Sequence, residues 1–250
     1  MKFIIYEVKN MNRDKLPYLL PIRSLVFFLI FVLGSLITGK ELSAISNWWT
    51  IAATIVNIFT IALLLVVSKK NDMTYWELIN YQKGETKARQ VVLISIVVLV
   101  VGMGVMYLAG FLCYGKFPYA PPMMIAPVMK LLAIINCFLL PVTTAFAEDG
   151  LYLGCGVNVI ENKTLGIIIP AFFYALQHCF IPTLIDGRYI LYRFLSFLPL
   201  TIILCYYFQK KRNPVPIMVG HAIIDMMTGL EVLATSMVPG FYETMINMSR

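Results

Sequence analysis

Seven stretches of about 20 predominantly apolar residues follow one another along this chain, and a bilayer is the solvent that such stretches fit. They run approximately Leu19–Thr38, Trp48–Val67, Val91–Cys113, Leu131–Gly156, Gly166–Leu184, Ile190–Phe208 and Val215–Val238. A hydrocarbon core about 30 Å thick offers no partner to a free backbone N–H or C=O, so segments of this kind cross it as helices. With 60% hydrophobic and 13% charged residues, 250 residues cannot present a soluble surface. The fold class is therefore all-α: a polytopic membrane bundle forming one domain over residues 1–250, with about seven helices and room for an eighth short segment. The formal charge of +7 does not indicate nucleic acid, because Lys and Arg fall in short tracts between the apolar runs. The lipid bilayer is the expected partner.

Those tracts orient the bundle. Lys2, Lys9, Arg13 and Lys15 precede the first span; Lys69, Lys70, Lys83, Lys87 and Arg89 follow the second; Lys210, Lys211 and Arg212 follow the sixth. The intervening loops hold only Lys40, Lys116, Lys130 and Arg188. The positive-inside rule then makes the N-terminus cytoplasmic in a multi-pass cell-membrane protein, and an odd number of spans leaves the C-terminus outside. A re-entrant segment around Pro121 and Pro122, or near the C-terminus, would reverse that last assignment. The first run is too long for a signal peptide, is interrupted by Arg23 and lacks a good cleavage site, so it reads as a retained anchor. Residues Met1 to Asp14 mix apolar and basic side chains as a short interfacial helix does, and Asn71 to Gln90 reads as a partly helical cytoplasmic loop.

Cys113, Cys137, Cys155, Cys179 and Cys205 are scattered one to a span or span end, without the paired spacing of a disulfide framework or zinc knuckle. They read as small apolar residues. There is no internal repeat of the kind that marks secondary transporters and no phosphate-binding glycine loop.

The ionisable residues inside the spans carry the functional information. Each costs about 2.5–3.5 kcal/mol on insertion scales, which makes a task the default reading. The chain's two histidines, His178 and His221, both lie in spans; Asp225 follows His221 by one helical turn, and Glu148 and Asp149 are adjacent in the fourth span. His221 and Asp225 share a helix face about 6 Å apart and can address one point, or can simply tie helices together. Gly220 and Gly229 leave room for close helix approach. His178 taken alone could be a satisfied core histidine, and the two acids could be an interfacial helix end. Depth joins them. If Pro170 and Pro214 open the fifth and seventh helices, His178 and His221 lie about 12 and 10 Å below one face, and Glu148 about 12 Å.

In order and spacing, Glu148-Asp149, then Tyr174-x-x-x-His178, then His221-x-x-x-Asp225, the chain resembles the CPBP, or Abi, family of intramembrane proteases, which includes the type II CAAX prenyl endopeptidases and bacteriocin-processing or immunity proteins. The family pattern is usually Glu-Glu-x-x-x-Arg, Phe-x-x-x-His and His-x-x-x-Asn or Asp. The resemblance covers a protease-like core of about residues 131–233. Three positions depart from it: Asp149 for the second Glu, Tyr174 for Phe, and Leu153 where the family has Arg. The last removes the guanidinium expected beside the acids, which would then need protonation, an imidazolium or a metal to offset their charge.

The resemblance implies that Glu148 activates water with His178 beside it, and that His221 and Asp225 bind the oxyanion or hold the polar network, with Asp149 and Tyr174 supporting. For Asp225 to donate a hydrogen bond it must carry a proton; otherwise it orients His221. The family is described both as metal-dependent and as glutamate-based, so a divalent metal such as zinc on Glu148, His178 and His221 is the rival arrangement. The expected activity is hydrolysis of a peptide bond in a hydrophobic, lipidated or membrane-inserted peptide or protein. A non-catalytic scaffold or immunity protein that keeps the fold is the alternative, motivated by Leu153. A proton-coupled transporter ranks below both.

Overall fold

The computed structural model describes residues 13–119 and 121–249. The expected interfacial helix over Met1 to Asp14 lies almost entirely outside them. Helix α1 (Ile22–Thr38) continues a 3-10 segment, Arg13–Leu19, and is followed by the short α2 (Leu42–Ser46) and by α3 (Trp49–Lys70). After α4 (Tyr75–Leu78) come α5 (Ala88–Tyr114), α6 (Lys130–Thr144), α7 (Leu165–His178), α8 (Gly187–Lys211), α9 (Val215–Met237) and α10 (Phe241–Ser249). Among the described residues six helical stretches are long and apolar enough to cross a membrane, and all seven apolar runs contain a helix. The segment around Pro121 and Pro122 is only a 3-10 turn, Pro122–Ile125, and α10 has 9 residues, so neither adds a span.

Two departures from the sequence-based expectation place the site. First, α6 does not end as an α-helix. From Ala145 to Val157 it widens into a 13-residue π-helix whose first turn carries Glu148 and Asp149. A wider helix exposes backbone to its neighbours, and the glycines here let them come close. A Cβ on Gly150 would sit 2.7 Å from the Tyr75 hydroxyl, and one on Gly156 2.6 Å from the Pro170 ring. The loop that bears Tyr75 is accordingly part of the core. Tyr75 donates to the Phe146 carbonyl at 2.7 Å, Asn158 donates to the Leu78 carbonyl at 2.8 Å, and Leu78 and Ile79 are buried.

Second, α7 is only 14 residues long and stops at His178, short of the expected Gly166–Leu184 span. Pro170 does not open it; the helix begins five residues earlier, at Leu165. The chain covers the remaining depth without helix, which inside a membrane requires protein partners for each carbonyl. Arg193 of α8 donates to the carbonyls of His178 (3.0 Å) and Ile181 (2.7 Å). Tyr189 donates to that of Pro182, Ser46 to that of Thr183, and the Thr183 hydroxyl to that of Phe180. The segment is thus locked by side chains from α2 and α8.

Around this core α6 packs on α3 and α9, α7 on α8 and α1, and α5 on α8 and α9. The close approaches expected at two glycines are present: a Cβ on Gly220 would lie 3.1 Å from Val98, and one on Gly229 3.2 Å from the Cys137 backbone. All five cysteines are free and buried.

Candidate active site

Three elements meet in the interior: the π-helical end of α6, the last turn of α7 and the first half of α9. Glu148 comes from the first, His178 from the second and His221 from the third. The common level expected of these residues assumes that Pro170 opens α7, which it does not. With α7 starting at Leu165, His178 lies about 20 Å along its helix and His221 about 9 Å along α9. The side chains nevertheless converge, because α7 ends where α9 has only made its second turn. Glu148 Oε2 stands 3.8 Å from His178 Nε2 and 3.9 Å from His221 Nε2, and Asp225 Oδ2 stands 3.7 Å from His221 Nε2. These gaps are too long for direct hydrogen bonds. A single water at about 2.8 Å from each group would span them.

The charge partner thought missing is supplied by another helix. Arg23, in the first apolar span, is 1% exposed and donates from Nη2 to Glu148 Oε1 at 2.8 Å. Leu153 instead packs among Val157, Ala171, Leu200 and Ile217, where a guanidinium would have no partner. The other donors of Arg23 are also satisfied: Nε on Gln177 Oε1 at 2.7 Å, Nη1 on Thr60 Oγ1 at 2.8 Å and Nη2 on Asn57 Oδ1 at 2.8 Å. Gln177 in turn donates to Glu148 Oε2 at 2.6 Å and accepts from Tyr152 at 3.2 Å. Glu148, 4% exposed, is thereby fixed through both oxygens. Arg23, Gln177, Asn57 and Thr60 escaped the sequence reading. The available signal was Arg23 itself, an ionisable residue inside an apolar run.

The two imidazoles are set by different devices. His178 Nδ1 lies 2.8 Å from the Tyr174 carbonyl, an acceptor only, so Nδ1 carries the proton and Nε2 faces Glu148. Its ring stacks on Phe197 with centroids 3.6 Å apart. His221 Nδ1 lies 2.9 Å from the Tyr174 hydroxyl, which is also 2.9 Å from Asp149 Oδ1; the direct separation of His221 Nδ1 from Asp149 Oδ2 is 3.4 Å. Two of the departures from the family pattern therefore answer each other. Asp149 is one methylene shorter than Glu, and the hydroxyl that Tyr174 adds to Phe bridges the distance to His221.

Tyr174, His178, His221 and Asp225 line a cavity of ≈ 180 Å³ between α5, α8 and α9. On the other side of α9 lies an apolar groove of ≈ 650 Å³, walled by Pro141, Val142 and Phe146 of α6 and by Met218, Ala222 and Met226.

A metal on Glu148, His178 and His221 fits less well. Tetrahedral zinc at about 2.05 Å from its ligands holds them about 3.3 Å apart, closer than the separations here, and both Glu148 oxygens already accept hydrogen bonds from Arg23 and Gln177. Among the described residues no group of three His, Cys, Asp or Glu side chains is arranged to hold a metal ion.

Comparison with known proteins finds no matching curated protein and no matching solved structure. Residues 130–227, which contain Glu148, Asp149, Tyr174, His178, His221 and Asp225, match the family model described as type II CAAX prenyl endopeptidase Rce1-like. The segment that carries the site, 98 of the 250 residues, is thus similar to the type II CAAX prenyl endopeptidases of the Rce1-like kind.

Proposed function

We propose that the protein is an intramembrane endopeptidase in which Glu148 activates a water for attack on a peptide bond of a hydrophobic, lipidated or membrane-inserted substrate. The observation that carries this reading is the convergence of Glu148 Oε2 with the Nε2 atoms of His178 and His221 at 3.8 and 3.9 Å. Water between them donates one proton to Glu148 and the other toward the lone pair of His178 Nε2, which leaves its oxygen directed at the substrate carbonyl. As the O–C bond forms, Glu148 takes the first proton and later passes it to the departing nitrogen, so that the C–N bond breaks with a neutral amine leaving. His221, carrying a proton on Nε2, donates to the oxyanion, with Asp225 orienting it. Arg23 and Gln177 hold the Glu148 carboxylate in register throughout.

Substrate class follows from the surroundings. The groove beside α9 is lined by apolar side chains and suits a lipid chain or an apolar peptide face. No step uses a metal. The scaffold alternative loses its motive, because the guanidinium absent at Leu153 is present at Arg23.

The test compares membranes carrying wild type with membranes carrying Glu148→Ala, by sequencing newly formed peptide termini. A terminus made by the wild type alone, and still made in the presence of 1,10-phenanthroline, supports the proposal. Identical termini in both membranes would reject it, and loss of cleavage on chelation would reject the metal-free water.

A further inference from the structure

A catalytic carboxylate is fixed by the groups on its oxygens and by the backbone that carries it. Arg23 and Gln177 hold the oxygens of Glu148. Its backbone belongs to a 13-residue π-helix, a geometry that chains rarely adopt and that persists where neighbours support it. One support is α4, in the loop between α3 and α5 and outside residues 130–227. It lies along one side of the π-helix and meets it at Phe146, Gly150, Gly154 and Asn158, four residues apart each time. Tyr75 donates its hydroxyl proton to the Phe146 carbonyl, and Gly150, having no side chain, admits the Tyr75 ring. A Cβ on Gly154 would lie 3.0 Å from Leu78 Cγ and 3.3 Å from the Leu78 carbonyl oxygen, the same oxygen that accepts from Asn158.

The far end of α4 is tied as well. Asn158 Oδ1 accepts from Arg212 Nη1 at 2.9 Å, and the Arg212 carbonyl accepts from Asn80 Nδ2 at 2.6 Å. Asn80 and Arg212 both have left-handed backbones, with φ of 55° and 53°, which non-glycine residues keep where the surroundings over-determine them. Burial of Leu78 and Ile79 would by itself hold the loop in place. The Tyr75 hydrogen bond does something further, because it lands two residues before Glu148.

We infer that Tyr75 is a positioning residue for Glu148: from α4 it holds the Phe146 carbonyl, and with it the turn of the π-helix from which Glu148 reaches His178 and His221. The inference rests on the endopeptidase reading and extends its machinery to a loop outside the segment that matches the family model.

Tyr75→Phe keeps the ring and its packing and deletes the donor. Amide hydrogen exchange of the full-length protein in detergent micelles is compared with that of wild type, alongside kcat and KM for a substrate identified by the Glu148→Ala comparison. Loss of one hydrogen bond should quicken exchange over residues 146–152 by about fivefold and leave α9 unchanged. Because the displaced group acts in the chemical step, kcat should fall by about tenfold while KM stays within about twofold. Asn158→Ala, which frees α4 at its other end, should lower kcat by about threefold. Its combination with Tyr75→Phe should lose less than the product of the two, since both act through one displacement. Ile79→Val trims the packing of the same loop without touching a hydrogen bond and gauges what lost stability alone does. Unchanged exchange in the π-helix overturns the inference, as does faster exchange there with kcat unaltered, or a kcat loss no greater than that of an equally destabilised Ile79→Val. Absent turnover by wild type counts against the endopeptidase reading instead, and the exchange comparison then still decides whether Tyr75 holds the π-helix.

Discussion

Replacing Arg23 by Leu removes a buried cation that donates to four side chains at once: Gln177, Thr60, Asn57 and Glu148. Breaking a buried ion pair from one side destabilises by about 3–5 kcal/mol, because the remaining charge has no compensation. Here the remaining charge is Glu148, which keeps only the Gln177 amide. At about 2–4 °C per kcal/mol for a chain of this size, the unfolding midpoint in micelles should fall by on the order of 10 °C. Adding Glu148→Gln to Arg23→Leu removes the orphaned charge, so the double variant should recover at least about 1 kcal/mol relative to Arg23→Leu alone. Cleavage should fall by about a hundredfold or more in Arg23→Leu, since the carboxylate loses the group that orients Oε2. Leu153→Arg should not rescue it, because position 153 faces Val157, Ala171 and Leu200 rather than Glu148. An Arg23→Leu protein that melts and cleaves like wild type, or one restored by Leu153→Arg, would refute the assignment of Arg23 as the carboxylate's partner.

Tyr174→Phe should lower activity about tenfold by breaking the bridge from Asp149 to His221, and Asp149→Glu in the same protein should restore part of it; cleavage rates of the two variants check this, and a harmless Tyr174→Phe contradicts it. Gly156→Ala places a methyl 2.6 Å from the rigid Pro170 ring and should destabilise by about 1–3 kcal/mol, read as the melting midpoint. The Thr74–Glu77 capping box, outside the membrane, holds the Glu77 carboxyl below its usual range, chiefly through the Thr74 backbone N–H. Its contribution is therefore complete above the ordinary carboxylate pKa and is lost as pH falls through the lowered value; amide exchange around Tyr75–Leu78 should accelerate over that acid window in wild type and lack this dependence in Glu77→Gln.

Much of the bundle can be read from hydropathy because lipid leaves the backbone no alternative to helix. Every apolar run contains one. Hydropathy does not report where a helix may stop inside the membrane, which depends on side chains elsewhere that take up its free carbonyls. For α7 those are Arg193, Tyr189 and Ser46, and nothing near His178 announces them. The site divides in the same way. Glu148, His178, His221 and Asp225 are visible as ionisable residues at helical spacing, and the structure brings all four together. Arg23 is 125 residues from the carboxylate it serves, and Gln177, next to His178, looks like any polar residue of a helix end until the rotation of α7 is known. The family pattern puts a guanidinium one turn beyond the acids, whereas packing of α1 against α7 and α3 delivers it from outside the motif.

The central claim is that an acid from α6 and imidazoles from α7 and α9 act on one water as a unit. Turnover of one identified substrate should be measured for Glu148→Ala, His178→Ala, His221→Ala and the Glu148→Ala/His221→Ala double variant, with each protein shown to be folded. Groups that serve a single step are not additive, so each single variant should lose nearly all activity and the double should be no worse than either parent. Losses that multiply from one variant to the next, or full turnover by Glu148→Ala, would contradict it.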